Sequence, residues 1–336
     1  MVRFFVMMSH FRHSCSVNIY IPCLAFALVA MSAFGQSNMV AKTTNQMAFL
    51  NNANDPVEKE YKIILTDDDA AQDDAERWIH EADSYRNKGI ADPRTTLRNR
   101  LQQRFEPVGK AYKDFLQRHP DHVRARLAFG SFLNDTGDED GALEQWEKAR
   151  DLDPKNPAVW NNLGTLYGHH RSPASKAFEC FEKAIELKQD EPVYYQNLAN
   201  HVYLFWMDAT NYYHVTEIEV FGKALGLYQQ AIKLDPDNFV LATEYAQSFY
   251  GTKPPRLKEG LRAWEQALKL ARTELEREGV LIHFARLKIA LGRLDEARLH
   301  LDAITNESYA TTKRTLTRNL TNAEAKTAKN NTPVVK

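Results

Sequence analysis

The residues in this 336-residue chain that could do chemistry fall into four groups. Asp67-Asp68-Asp69 and Asp73-Asp74 crowd carboxylates together, as a divalent cation or a general acid and base pair would require. His119-Pro-Asp-His122 and His169-His170 are close pairs of imidazoles, the commonest metal ligands. Cys180 is a thiol outside the N-terminal segment that holds Cys15 and Cys23. Finally, Asn161, Gln196, Asn200 and Gln247 carry amides that donate and accept together, which suits the backbone of a bound peptide.

Each of the first three groups lacks what its chemistry needs. The acidic run has neither the glycine nor the terminal glutamate of a calcium loop, and reads as the acidic start of a helix running through Trp78 and Tyr85. Both histidine pairs fall at expected turns with no third ligand nearby, so they read as solvated loop residues. Cys180 sits beside Phe181 on an expected helix and packs there as a small hydrophobe, with no partner for a disulfide once the N-terminal segment is removed. No glycine-rich phosphate loop, nucleophile elbow, zincin motif or paired-cysteine site occurs. The expectation is a chain that is not an enzyme, with no catalytic residues, no metal and no cofactor.

The elements that position these residues are helices. Trp160, Leu163, Gly164 and Tyr167, then Ala177 and Phe181, recur at spacings of three and four. Leu152-Asp153-Pro154 and Leu234-Asp235-Pro236 are stop signals, because proline cannot extend a helix and disfavours helical geometry in the residue before it. Stepping back by 34 residues from the Trp160 unit gives Val123 to Asn156, where Phe129-Gly130, Ala142, Trp146 and Ala149 stand in the same places. Units follow at Pro192 to Asn238, Phe239 to about Leu270, and Glu278 to Thr311, with a partial one whose second helix spans Val108 to Pro120 and whose first lies within Arg94 to Phe105.

The pattern Trp160-x2-Leu163-Gly164-x2-Tyr167 with Ala177-x3-Phe181 resembles the tetratricopeptide repeat, over about residues 94 to 310. The resemblance implies an all-α fold, a right-handed solenoid of antiparallel helix pairs with about five to six repeats. It also implies a groove lined by fixed places on each first helix. Those places hold Asn134 in the first full unit, Asn161 and Thr165 in the second, Gln196, Asn200 and Tyr203 in the third, and Gln247 and Tyr250 in the fourth. The expected partner is a protein or peptide held there, although the same polar residues would also suit a solvated inner face. Members that grip a chain-terminal carboxylate have lysine and asparagine where Leu127 and Ser131 stand here, so that activity is not implied.

A second candidate surface is the insertion at about residues 205–220, with Trp206, Tyr212 and Tyr213. Aromatic residues there would anchor a partner or pack against each other. Arg3 and Arg12 precede the apolar run Ile19 to Phe34 and the small-residue site Ala33-Phe34-Gly35, which predicts a signal peptide over 1–35, cleavage after Gly35, and a secreted or periplasmic location. The alternative is a membrane anchor over residues 14–39, the only membrane association expected. Residues 36–66 read as a flexible, acidic linker, 67–107 as N-terminal helices, 108–311 as the solenoid, and 312–336 as a disordered basic tail. The chain carries 43 basic and 44 acidic residues, a balance that gives no reason to expect nucleic acid. Two other roles stay open: a self-assembling structural component of the cell envelope, with homo-oligomers, and a carbohydrate- or peptide-acting protein using the acidic run and the insertion.

Overall fold

Helix boundaries follow from capping chemistry. In the computed structural model, which describes residues 55–87, 94–169 and 173–331, His122 caps one helix by accepting the Ala125 N–H at its Nδ1 (3.0 Å). The helix ends at Gly137, whose φ of 91° is the left-handed region that favours glycine. Asp138 opens the next by accepting the Gly141 N–H (2.9 Å). Thr216 with Glu219, and Thr273 with Glu276, form reciprocal capping boxes further on.

The helices are α1 (Pro56–Asn87), α2 (Arg94–Arg118), α3 (Val123–Thr136), α4 (Glu139–Leu152), α5 (Pro157–His169), α6 (Ala174–Leu187) and α7 (Pro192–Leu204). They continue with α8 (Trp206–Tyr213), α9 (Glu217–Leu234), α10 (Phe239–Ser248), α11 (Leu257–Leu270), α12 (Glu274–Ala290), α13 (Leu294–Asp302) and α14 (Ala310–Asn331). No strand occurs among the described residues. α1 pairs with α2, α3 with α4, α5 with α6, α7 with α9, α10 with α11 and α12 with α13, and the second helix of each pair meets the first helix of the next. The result is an all-α solenoid.

Small residues set how closely a pair can approach. A Cβ on Gly130 would stand 2.4 Å from Trp146 Nε1, and one on Gly164 would stand 2.9 Å from the Phe181 ring. The same first-helix place meets the same second-helix place in two successive units, so one packing solution is repeated along the stack. Trp146 also donates its indole N–H to the Leu127 carbonyl (3.1 Å), which satisfies the only polar atom of a ring that is 1% exposed.

Three expectations change. The 36–66 linker ends early: Asp55 accepts the Val57 N–H (2.9 Å), Pro56 takes the first helical position, and Tyr61, Ile64, Ala71, Ala75 and Ala82 form a buried stripe at helical spacing. The acidic run therefore lies inside a long helix instead of opening one. Second, the helix expected within Arg94 to Phe105 is continuous with the one from Val108, and its partner is α1. Pro107 lies within this helix on an exposed face, near an exposed Gln103, so the carbonyl it leaves unpaired can bond to water. Third, the 312–336 tail is helical to Asn331 and packs on α12 and α13 through Leu316 and Leu320, while Lys313 donates to the Ile304 carbonyl (2.7 Å). The segments 1–35 and 14–39 lie outside the described residues.

Leu320 is 1% exposed, so Leu320→Ala is expected to destabilise the protein by about 2–5 kcal/mol in denaturant unfolding. A tail that did not cap the stack would leave the midpoint unchanged.

Candidate functional site

The acidic run is neutralised from within the fold. Arg104 pairs with Asp67 (2.9 Å) and Asp74 (3.0 Å), and the Tyr112 hydroxyl donates to Asp68 Oδ2 (2.7 Å). Burial pushes the Asp68 carboxyl up to about 6, with Asp69 and Asp135 adding to the effect against the hydrogen bonds from Tyr112 and Gln72. The histidine turn is likewise structural. With Nδ1 occupied by the helix cap, His122 turns Nε2 to Glu58 (3.3 Å), and Glu58 also holds Arg124, so the turn is locked onto α1. Burial lowers the His122 pKa and favours the neutral ring. The side chain of His169 and all of His170 lie outside the described residues. Cys180 is buried and its thiol is pushed up to about 12, so it packs and does not react.

The amides expected to line the groove do something different. Asn197 on α7 donates to Asn161 Oδ1 on α5 (2.9 Å), and Gln196 on α7 donates to Glu244 Oε2 on α10 (2.7 Å). These two bonds are one contact repeated: the fifth residue of a first helix meets the sixth residue of the next first helix. Asn200 adds a second donor to Glu244 Oε2 (3.2 Å), and the Tyr228 hydroxyl donates to Asn200 Oδ1. Asn161 is 0% exposed, Gln196 2% and Asn200 5%. Thr165 is also buried and returns its hydroxyl to the Asn161 carbonyl (3.1 Å). Asn161, Thr165, Gln196 and Asn200 are therefore part of the packing between repeats and not an open lining, because first helices that pack this closely leave room only for each other's side chains.

A protein-family model described as TPR repeat matches residues 130–169. The crystal structure of PilW, a widely conserved type IV pilus biogenesis factor, superposes with a TM-score of 0.52 at 16% identity, covering 66% of this chain and 95% of that one. Pseudomonas aeruginosa pilF gives a TM-score of 0.46 at 15% identity, covering 69% and 90% of the two chains. YrrB, a TPR protein with an unusual peptide-binding site, gives 0.46 at 14% identity, covering 62% and 99%. At these identities the likeness is one of fold. Residues 130–169 match the tetratricopeptide repeat, and the fold is a solenoid of that type.

The insertion in the third full tetratricopeptide unit folds back on the array. Tyr212 and Tyr213 stack against Phe178 of α6 (5.3 and 5.7 Å), and Tyr212 donates to Glu182 (3.0 Å). Trp206 lies against Phe221 (6.1 Å) with the Lys253 ammonium over its ring (5.2 Å). All three rings are half-buried and pack on the array, each leaving part of its surface open. The apolar side chains of this region that do face water are Met207 and Ile218.

Of the expected groove residues, Asn134, Tyr203 and Gln247 on first helices and Tyr250 just past the end of α10 remain accessible, each half-buried. Burial raises the Tyr203 pKa to about 12. The Tyr250 hydroxyl bonds to His283 Nδ1 (3.0 Å), and the His283 ring lies flat on Trp264 at 3.9 Å. Burial and the nearby Arg286 charge drive the His283 pKa well down, which favours the neutral ring. Asn197, Glu244 and His283 were not singled out from sequence. The signal was present in the adjacent polar pairs Asn161-Asn162, Gln196-Asn197 and Thr243-Glu244, one in each of three successive units.

The Asp68 shift has a pH consequence. The folded carboxyl titrates near 6 and its unperturbed value is 3.8, so between about pH 4 and about pH 6 the folded protein binds more protons and stability falls as pH rises. Asp68→Asn keeps an acceptor for Tyr112 and is expected to flatten that fall in thermal unfolding; an equal slope in both proteins would show that Asp68 ionises freely.

Proposed function

We propose that this protein is an exported, non-enzymatic scaffold that holds an extended segment of a protein partner on the inner face of its C-terminal tetratricopeptide repeats. The observation that carries this reading is the contrast along the first helices. Asn161, Gln196 and Asn200 are sealed into bonds between repeats, whereas Tyr203, Gln247 and Tyr250 stay half-exposed. Rigid aromatic rings beside an amide that can donate and accept are suited to a peptide backbone with apolar side chains. Export is supported by Arg3, Arg12 and the apolar run ahead of Gly35. A site shared by the acidic run and the insertion is less favoured, because the first packs on α2 and α3 and the second on α6, α7 and α9. Self-assembly through the C-terminal end is opposed by α14, which closes the stack with a largely polar, exposed outer face.

Peptides selected from a random display library against the full chain, then titrated, test the reading. Gln247→Ala is expected to weaken binding by about tenfold without changing stability, while Asn161→Ala lowers stability by about 1–3 kcal/mol and leaves affinity unchanged. The opposite pairing of effects would overturn it. Export is checked separately by the first residue of the mature protein, expected to be Gln36; an intact N-terminus in a membrane fraction would show an anchor.

A further inference from the structure

The accessible face carries a cation with no counter-ion among the described residues. Arg286 on α12 is half-buried, its guanidinium lies over the Tyr250 ring at 5.7 Å, and it makes no ion pair among the described residues. By contrast, Arg256 holds Glu259, Arg293 holds Glu296, and Arg298 holds Glu324. Farther along the same inner face, Arg124 is spent on Glu58.

The surroundings of Arg286 hold it in place without satisfying it. Trp264 Nε1 is buried without a hydrogen-bond partner. Tyr250 is hydrogen-bonded to His283 Nδ1, and the His283 ring is fixed by its stack on Trp264. The Arg286 guanidinium, with five N–H groups, makes no side-chain hydrogen bond among the described residues. Gln247 lies in the last turn of α10, three residues before Tyr250 in the turn that follows, and is half-buried with no side-chain hydrogen bond among the described residues. Half-buried Ile289 follows Arg286 at i+3 on α12.

We propose that Arg286 is the anchor for an acidic side chain, aspartate or glutamate, in the interior of the extended partner segment. This rests on the peptide-binding reading above and names the chemistry of the partner. A carboxylate matches the planar fork of the guanidinium with two parallel bonds, and a ring stacked beneath keeps that fork oriented before binding. The Gln247 amide takes a peptide group on one side of the anchor, and Ile289 offers an apolar contact on the other. That continuity favours an internal acid over a chain end.

The test uses the full chain and two random peptide libraries, one displayed with its carboxyl end fused to the carrier and one with that end free. The fused library is expected to yield binders with Asp or Glu at one fixed position. Changing that residue to its amide, or Arg286→Gln in the protein, should each weaken binding by about tenfold, and the two together should cost no more than either alone. Arg286→Lys should recover part of the loss, and Lys258→Gln, an exposed cation on α11, should have no effect. Binders without an acidic preference, or with one that survives Arg286→Gln, would overturn the inference and leave the peptide-binding reading standing. Acid-dependent binders from the free-end library alone would overturn it in favour of a terminal carboxylate. No binders from either library would overturn both. Should Arg286→Gln fail to fold, the acid-to-amide change in the peptide decides.

Discussion

Everything in this fold depends on a helix pair being unable to bury its own apolar surface. Trp146 and Phe181 fill the space above Gly130 and Gly164, but the outer faces of each pair still need a neighbour. Stacking supplies it, and the first helices then come close enough for side chains on adjacent repeats to bond directly. Once they do, the register between repeats is fixed by polar pairs in a dry interior, where leaving an amide unmatched costs more than a made bond contributes. The pairs Asn161 with Asn197 and Gln196 with Glu244 are that constraint in two successive steps. Where a step lacks a partner the cost shows: Leu127 stands at the place that would face Asn162, and Asn162 Nδ2 is left buried without a hydrogen bond.

The same constraint shapes where a partner can dock. Sealing the middle of the inner face moves the accessible surface toward α10 and α12, where the sixth-place residue is His283 and it turns to Tyr250 instead of bonding to the fifth-place Thr243. The polar ladder gives way there to an aromatic floor with an arginine that has no counter-ion among the described residues. The polar seal in the middle of the stack and the accessible aromatic face toward its end are therefore two outcomes of one packing rule applied to different side chains.

The fold was legible wherever packing forced particular residue types. Trp160, Gly164 and Phe181 could be recognised because close helix approach tolerates few alternatives, and Pro154 and Pro236 marked stops that the structure keeps. The ends were harder. α1 hides a five-residue apolar stripe among acids, and α14 is tied down by little more than Leu316 and Leu320 in a polar sequence, so composition pointed to linker and tail. The site was legible by position and not by state. Whether an asparagine on a first helix faces water or a neighbouring helix is decided by the distance between helices, which no single sequence displays. Tyr212 and Tyr213 show the same limit, since docking and internal packing call for the same rings.

Side-chain amide hydrogen exchange, followed by nuclear magnetic resonance on the free protein, tests the central claim most directly. The account predicts strongly protected NH2 groups for Gln196, Asn197 and Asn200 and free exchange for Gln247. Equal, rapid exchange at all four would mean that the first helices stand apart around an open groove, contradicting the polar seal on which the location of the binding face rests.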